Sequence, residues 1–269
     1  MQLSCLRNGN GCVQLAAFFL FIACPNRADA QTDVSHPWLA TAPGEFIRLI
    51  DNGNVQILVD DERVQKARKS ALTVFRFDIQ NEFKYRHQML GYDEKLQAWQ
   101  AKIVAWMDQP KFKLEHNIFF RSTFSPTLPW ESKLLRHEFD HVAISTDPRL
   151  LKIIKRTLQQ RHQWIATWQQ ASAPTDADIR KNIVDTFQEE VKALEKLVQS
   201  QYDYLDQESN QGVLAIKART DFFKGLYTLD GLGRCHYQLD KSMQDFVKEK
   251  LSSPANDKEV EGHYLFLAP

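Results

Sequence analysis

The chain has 269 residues, 34 Lys and Arg against 34 Asp and Glu, 43% hydrophobic and 25% charged residues, which is ordinary globular material with room for one large domain. The balanced charge leaves no net field to draw the protein to nucleic acid, an anionic membrane surface or an acidic polymer. No basic stripe interleaved with aromatics suggests a nucleic-acid face either.

The N-terminus reads as a secretory signal peptide over residues 1–30. Arg7 sits in a polar leader, "VQLAAFFLFIAC" supplies the apolar core, and Ala28-Asp29-Ala30 is a small-x-small cleavage site. The alternative is lipoprotein processing at Cys24 after "FIA", although Phe21 stands where an aliphatic residue is usual. The apolar run is short for a bilayer, and nothing later approaches the roughly 20 apolar residues of a membrane span, so a secreted or periplasmic protein without a transmembrane segment is expected after cleavage. Cys5, Cys12 and Cys24 belong to the leader, which leaves Cys235 as a single thiol with no internal partner. Next to His236 it reads as an inert thiol, because adjacent residues rarely present their side chains to each other.

Residues 31–44, "QTDVSHPWLATAPG", look like a linker, and 45–269 like a single domain. "EFIRLI" and "VQILVD" flank "DNGN", which predicts a hairpin. "ALTVFRFDIQ" and "EFKYRHQML" follow as β-prone runs, "DEKLQAWQAKIVAWMD" reads as helical, and "KFKLEHNIFFRSTF" as a strand with Leu114, His116, Ile118 and Phe120 on one face. Helices are predicted over 130–145, 148–170 and about 177–208, separated by "STDP" and "SAPTDAD". A short helix, a "DGLGRCH" loop and a helix around "MQDFVKEKL" complete the tail. A sheet that precedes its helices argues for an α+β fold, an antiparallel sheet packed on helices, and no G-x-G-x-x-G follows a strand to support nucleotide binding.

Chemistry concentrates in "RHEFDHVAIS", residues 136–145. At 100° per residue Leu134, His137, Glu138, His141 and Ser145 fall on one side of a helix, while Lys133, Arg136 and Asp140 face away. Two imidazoles one turn apart can share one Zn²⁺, and Glu138 beside them is placed to take a proton from a metal-bound water. The bland reading is a solvated helix whose histidines are incidental. His116 reads as a satisfied core histidine, His162 with Trp164 and Trp168 as part of an aromatic helix stripe, and His87, His236 and His263 have no partner pattern.

"STFSPTLPWESKLLRHEFDHVAIS" resembles the centre of an uncharacterised bacterial family of predicted secreted zinc-dependent proteases, through Leu128-Pro129, His137, Glu138, His141, Val142 and Ile144. The family also carries a segment of the form Y-D-x-E-T-x-H-G. "LDQESNQG" is similar in Asp206, Glu208, Ser209 and Gly212, with Leu205 replacing Tyr and Gln211 replacing His. The resemblance implies a zincin-like fold with H-E-x-x-H on a central helix, a Zn²⁺ cofactor, and hydrolysis of a peptide or protein substrate.

A catalytic zinc takes three protein ligands plus water, so a third is needed. Asp147, Glu189, Glu190, Asp206 and Glu208 are all candidates. Asp147 has the metzincin spacing but lacks the glycine that pattern requires at Ile144, and before Pro148 it reads as a helix N-cap. Gln211 is a poor zinc ligand, which favours the rival expectation of a catalytically inactive envelope binding or scaffold protein; intact Glu138 favours catalysis.

Overall fold

In the computed structural model of the chain the described residues are 5–7, 12–14, 16–23, 38, 41–251 and 263–264, with side chains described for 38, 41–79, 83–251 and 263–264. The expected cleavage site at Ala28–Ala30, the alternative at Cys24 and most of the linker lie outside them. Cys5–Arg7 (β1) and Cys12–Gln14 (β2) pair antiparallel, and Ala16–Ala23 (β3) runs beside β5, Ala71–Asp93. No helix among the described residues is long and apolar enough to cross a membrane.

The chain is α+β and divides into two compact units. One comprises residues 1–23, 79–112 and 154–193, the other 24–78, 113–153 and 194–269. In the first, the later part of β5 pairs antiparallel with β6 (Ala98–Met107), and β6 with β8 (His162–Trp168). Phe83 packs on Phe187 of the long helix α5 (Asp176–Ser209), and Trp164 Nε1 donates to Asn182 Oδ1 at 2.9 Å. One predicted helix, and the second half of the helix predicted over 148–170, are therefore strands. In 93–108 only the turn at 94–97 is tightly coiled, with Asp93 Oδ1 accepting from the amides of Lys95 and Leu96. Beyond it Ala101, Ile103, Ala105 and Met107 are buried at alternate positions, the period of a strand. "HQWIATW" behaves alike: its β-branched and aromatic residues pair with β6 once α4 (Pro148–Gln159) has ended.

The second unit holds helix α1 (Gly44–Gly53) where the first arm of a hairpin is predicted. Phe46, Leu49 and Gly53 are buried at helical spacing, and a six-residue apolar run carries no information that separates this from a strand. Asn54 ends α1 in the left-handed conformation (φ 45°), its side-chain amide donating to Leu114 O at 2.6 Å. The next strand, β4 (Val55–Val59), runs parallel to β7 (Lys111–Phe120), with Ile57 opposite Ile118. The sheet is thus mixed, not antiparallel, and β7 lies between β4 and β5. Helix α2 (Asp61–Lys66) is capped by Asp60, which accepts from the Arg63 amide at 2.8 Å.

Helix α3 (Lys133–Ser145) starts one turn later than predicted, because Pro129–Glu131 form a separate 3₁₀ turn and Ser132 is the N-cap. Phe139 of α3 meets Phe46 edge-on at 4.9 Å, and both contact Trp130. Most of α3 is buried, including the polar His137, Glu138, Asp140 and His141, so the helix is enclosed on nearly every side. The tail forms α6 (Arg219–Gly225), α7 (Leu229–Arg234) and α8 (Lys241–Phe246); the predicted "DGLGRCH" loop is mostly α7, capped by the Thr228 hydroxyl at 3.1 Å from the Gly231 amide.

Candidate metal centre

Helical spacing puts His137 and His141 one turn apart on α3, with ring centroids 4.8 Å apart. The last turns of α5 bring a carboxylate to them. Asp206 Oδ1 lies 2.9 Å from His137 Nε2 and 3.2 Å from His141 Nε2. These atoms form the one group of three His, Cys, Asp or Glu donors suited to a metal ion among the described residues.

The donor set fits a small borderline-soft divalent cation. Two ligands each about 2.0 to 2.1 Å from a tetrahedral ion stand about 3.3 Å apart, close to the spacings of Asp206 from the two imidazoles. A calcium ion takes six to eight oxygens at longer range, which two imidazoles and one carboxylate do not supply. Tautomers fit as well. Ser209 Oγ donates to Leu205 O at 2.7 Å and accepts from the Gly212 amide at 3.0 Å, so its contact with His137 Nδ1 at 3.4 Å is made by the imidazole N–H. Nε2, which hydrogen-bonds Asp206 here, is then the nitrogen that on losing its proton would present a lone pair to a metal. His141 Nδ1 has no hydrogen-bond partner among the described residues; its ring is held by Tyr202, 4.5 Å away between centroids.

Around these three atoms the electrostatics are coupled. Burial works against the charged form of His137, yet the Asp206 hydrogen bond and the carboxylates of Glu138 and Asp140 raise its pKa. Burial likewise opposes ionisation of Asp206, and hydrogen bonds from His137, His141 and Lys69 outweigh it, holding the carboxyl far below its ordinary range. Lys69 Nζ is 2.5 Å from Asp206 Oδ2.

Glu138 is 3% exposed, and its Oε2 accepts from the Thr73 hydroxyl at 2.7 Å. Thr73, at the start of β5, thereby fixes the rotamer of the carboxylate. Behind the site runs a buried polar chain: Tyr202 donates to Ser145 Oγ at 3.0 Å, and Ser145 Oγ meets His116 Nε2 at 2.5 Å, while His116 Nδ1 meets Gly53 O at 2.6 Å. His116 is the satisfied core histidine the sequence suggests, and burial pushes its pKa down to about 4.

Asp140 does not face solvent as predicted. It is buried and held by Arg219, whose guanidinium reaches both carboxylate oxygens, and burial raises its pKa despite that cation. A cleft of about 520 Å³ opens beside His137, walled by Leu214, Ile216, Gly212 and the Arg219–Asp140 pair.

Of the five candidate carboxylates only Asp206 reaches the imidazoles. Asp147 caps α4, its Oδ1 accepting from the Arg149 amide at 2.7 Å, and both its oxygens are bound by the Arg149 guanidinium. Glu189 pairs with Lys192, Glu190 faces His162 at 3.9 Å, and Glu208 is exposed. Gln211 and Gly212 follow in left-handed conformation (φ 55° and 80°), which turns the chain so that Gly212 abuts His137. Cys235 is half-buried, and burial raises its thiol pKa, in keeping with an inert thiol. Lys69 and Thr73 carry no sequence signal; each lies more than sixty residues from its partner along the chain. No family model, curated protein or solved structure matches this chain.

Proposed function

We propose that the protein is a metal-dependent peptidase in which His137, His141 and Asp206 hold a Zn²⁺ ion and Glu138 is the general base. The observation that carries this reading is the convergence of three ligand atoms on one buried point, next to a carboxylate oriented by a hydroxyl. The resemblance to predicted secreted zinc-dependent proteases agrees with it, and a zincin-like fold and export by the N-terminal leader belong to the same reading. With Asp206 as third ligand, glutamine at position 211 no longer argues for an inactive scaffold protein.

When bound, the ion supplies Lewis acidity, lowering the pKa of a coordinated water toward about 7 and polarising the scissile carbonyl. Thr73 occupies Glu138 Oε2, which leaves Oε1 to take the water's proton and to return it to the leaving amine. The cleft beside His137 has apolar walls in Leu214 and Ile216, suited to a large apolar side chain of the peptide.

The test is hydrolysis of a mixed peptide library by zinc-loaded protein and by Glu138→Gln. Loss of about 10²-fold or more in rate, with zinc content unchanged, supports the reading; equal rates in both proteins refute it.

A further inference from the structure

We propose that Lys69 sets the coordination number of this metal centre, an inference that rests on the metal reading above. Asp206 has two oxygens with different partners. Oδ1 faces both imidazoles, and Oδ2 is taken by the Lys69 ammonium at 2.5 Å. A carboxylate binds a cation through one oxygen or through both. Here the second is committed to an ammonium that is itself 26% exposed beside a carboxylate 13% exposed, shielded enough for the pairing to persist.

The lysine is placed by its backbone. Arg68 takes a left-handed conformation (φ 57°), the Lys69 amide donates to Val64 O at 3.2 Å, and the Lys69 carbonyl accepts from Arg121 Nη2 at 3.1 Å. The turn between α2 and β5 is therefore tied on both sides, and the ammonium is delivered to the outer oxygen of Asp206. Asp206 then offers one ligand atom, and the centre is a two-nitrogen, one-oxygen set completed by water. That set suits four-coordinate Zn²⁺ or Co²⁺ and disfavours ions that need more oxygens, such as Mn²⁺. Without the ammonium, Oδ2 is free to bind and the centre becomes five-coordinate.

Cobalt reports this directly, because four-coordinate Co²⁺ absorbs visible light far more strongly than five-coordinate Co²⁺. The full chain, stripped of metal and loaded with Co²⁺, should show the intense bands of a four-coordinate ion. Lys69→Met should lose at least about half of that intensity and narrow the preference for Zn²⁺ over Mn²⁺ by about tenfold in competition titrations. Lys69→Arg should keep the original spectrum, and Lys69→Leu, which also removes the donor and is measured in parallel in case the methionine variant does not fold, should shift as Met does. The same spectrum and the same Zn²⁺-to-Mn²⁺ ratio in all the folded variants would overturn the proposal while leaving the metal centre intact. Absence of any Co²⁺ or Zn²⁺ binding by the unaltered chain would overturn the metal reading itself, and this inference with it.

Discussion

Protonating His116 should cost the fold about 3 kcal/mol. The imidazole is fully buried between Gly53 O and Ser145 Oγ, and burial takes its pKa from the ordinary 6.5 down to about 4, with the nearby His141 acting in the same direction. The unfolded chain therefore binds a proton near pH 6.5 that the folded chain refuses until about pH 4. Stability from this group is fully present above about pH 6.5 and is lost as pH falls toward 4. At about 1.4 kcal/mol per tenfold change in proton affinity, the loss between about pH 7 and about pH 4 comes to about 3 kcal/mol. Other groups titrate over the same range, so the assay is a difference. Urea unfolding is followed by circular dichroism at about pH 7 and about pH 4 for the unaltered protein and for His116→Gln. With a urea slope of about 3 kcal/mol/M, the unaltered protein's midpoint should fall by about 1 M more than the variant's. Equal falls in the two proteins, or an imidazole titrating near its ordinary 6.5 by NMR in the folded state, would refute the reasoning.

Other positions make separate demands. Gly212→Ala would place a Cβ 2.8 Å from Cβ and Cγ of His137 at φ 80°, so His137 must move; zinc affinity by chelator competition should fall about tenfold. Arg219→Ala leaves the buried Asp140 carboxylate without its cation and should lower unfolding free energy by about 3 kcal/mol in denaturant titrations, a loss that Asp140→Asn in the same chain partly restores. Thr73→Val removes the donor to Glu138 and should lower kcat about tenfold at unchanged zinc content, with Thr73→Ser restoring it.

What the sequence disclosed and what it hid follow from how local each feature is. The spacing of His137, Glu138 and His141 is decided within one helical turn, so their shared side of α3 was legible, as were the Asp147 cap and the strand around His116. Short apolar runs were not: residues 45–50 and 98–107 hold the same residue types whichever period they adopt, and pairing with distant partners decided between them. Asp206 stood among five carboxylates because its approach to His137 spans 69 residues and depends on where α5 ends. Lys69 and Thr73 reach the site only through the tied turn before β5, and the partners that give them meaning are far away in the chain. Asp140 was misplaced because helical-wheel reasoning assumes one solvated face, and α3 is buried nearly all round.

The central claim is the three-ligand centre, and metal content tests it most directly. Protein purified without a histidine tag, equilibrated with Zn²⁺ at neutral pH and dialysed, should retain about one zinc per chain by mass spectrometry, as a site of three protein ligands requires. The single variants His137→Ala, His141→Ala and Asp206→Ala should each lose most of it, whereas Glu208→Ala, at an exposed neighbour of Asp206, should keep it. Zinc retained at the original level in Asp206→Ala, or absent from the unaltered protein, would contradict the account.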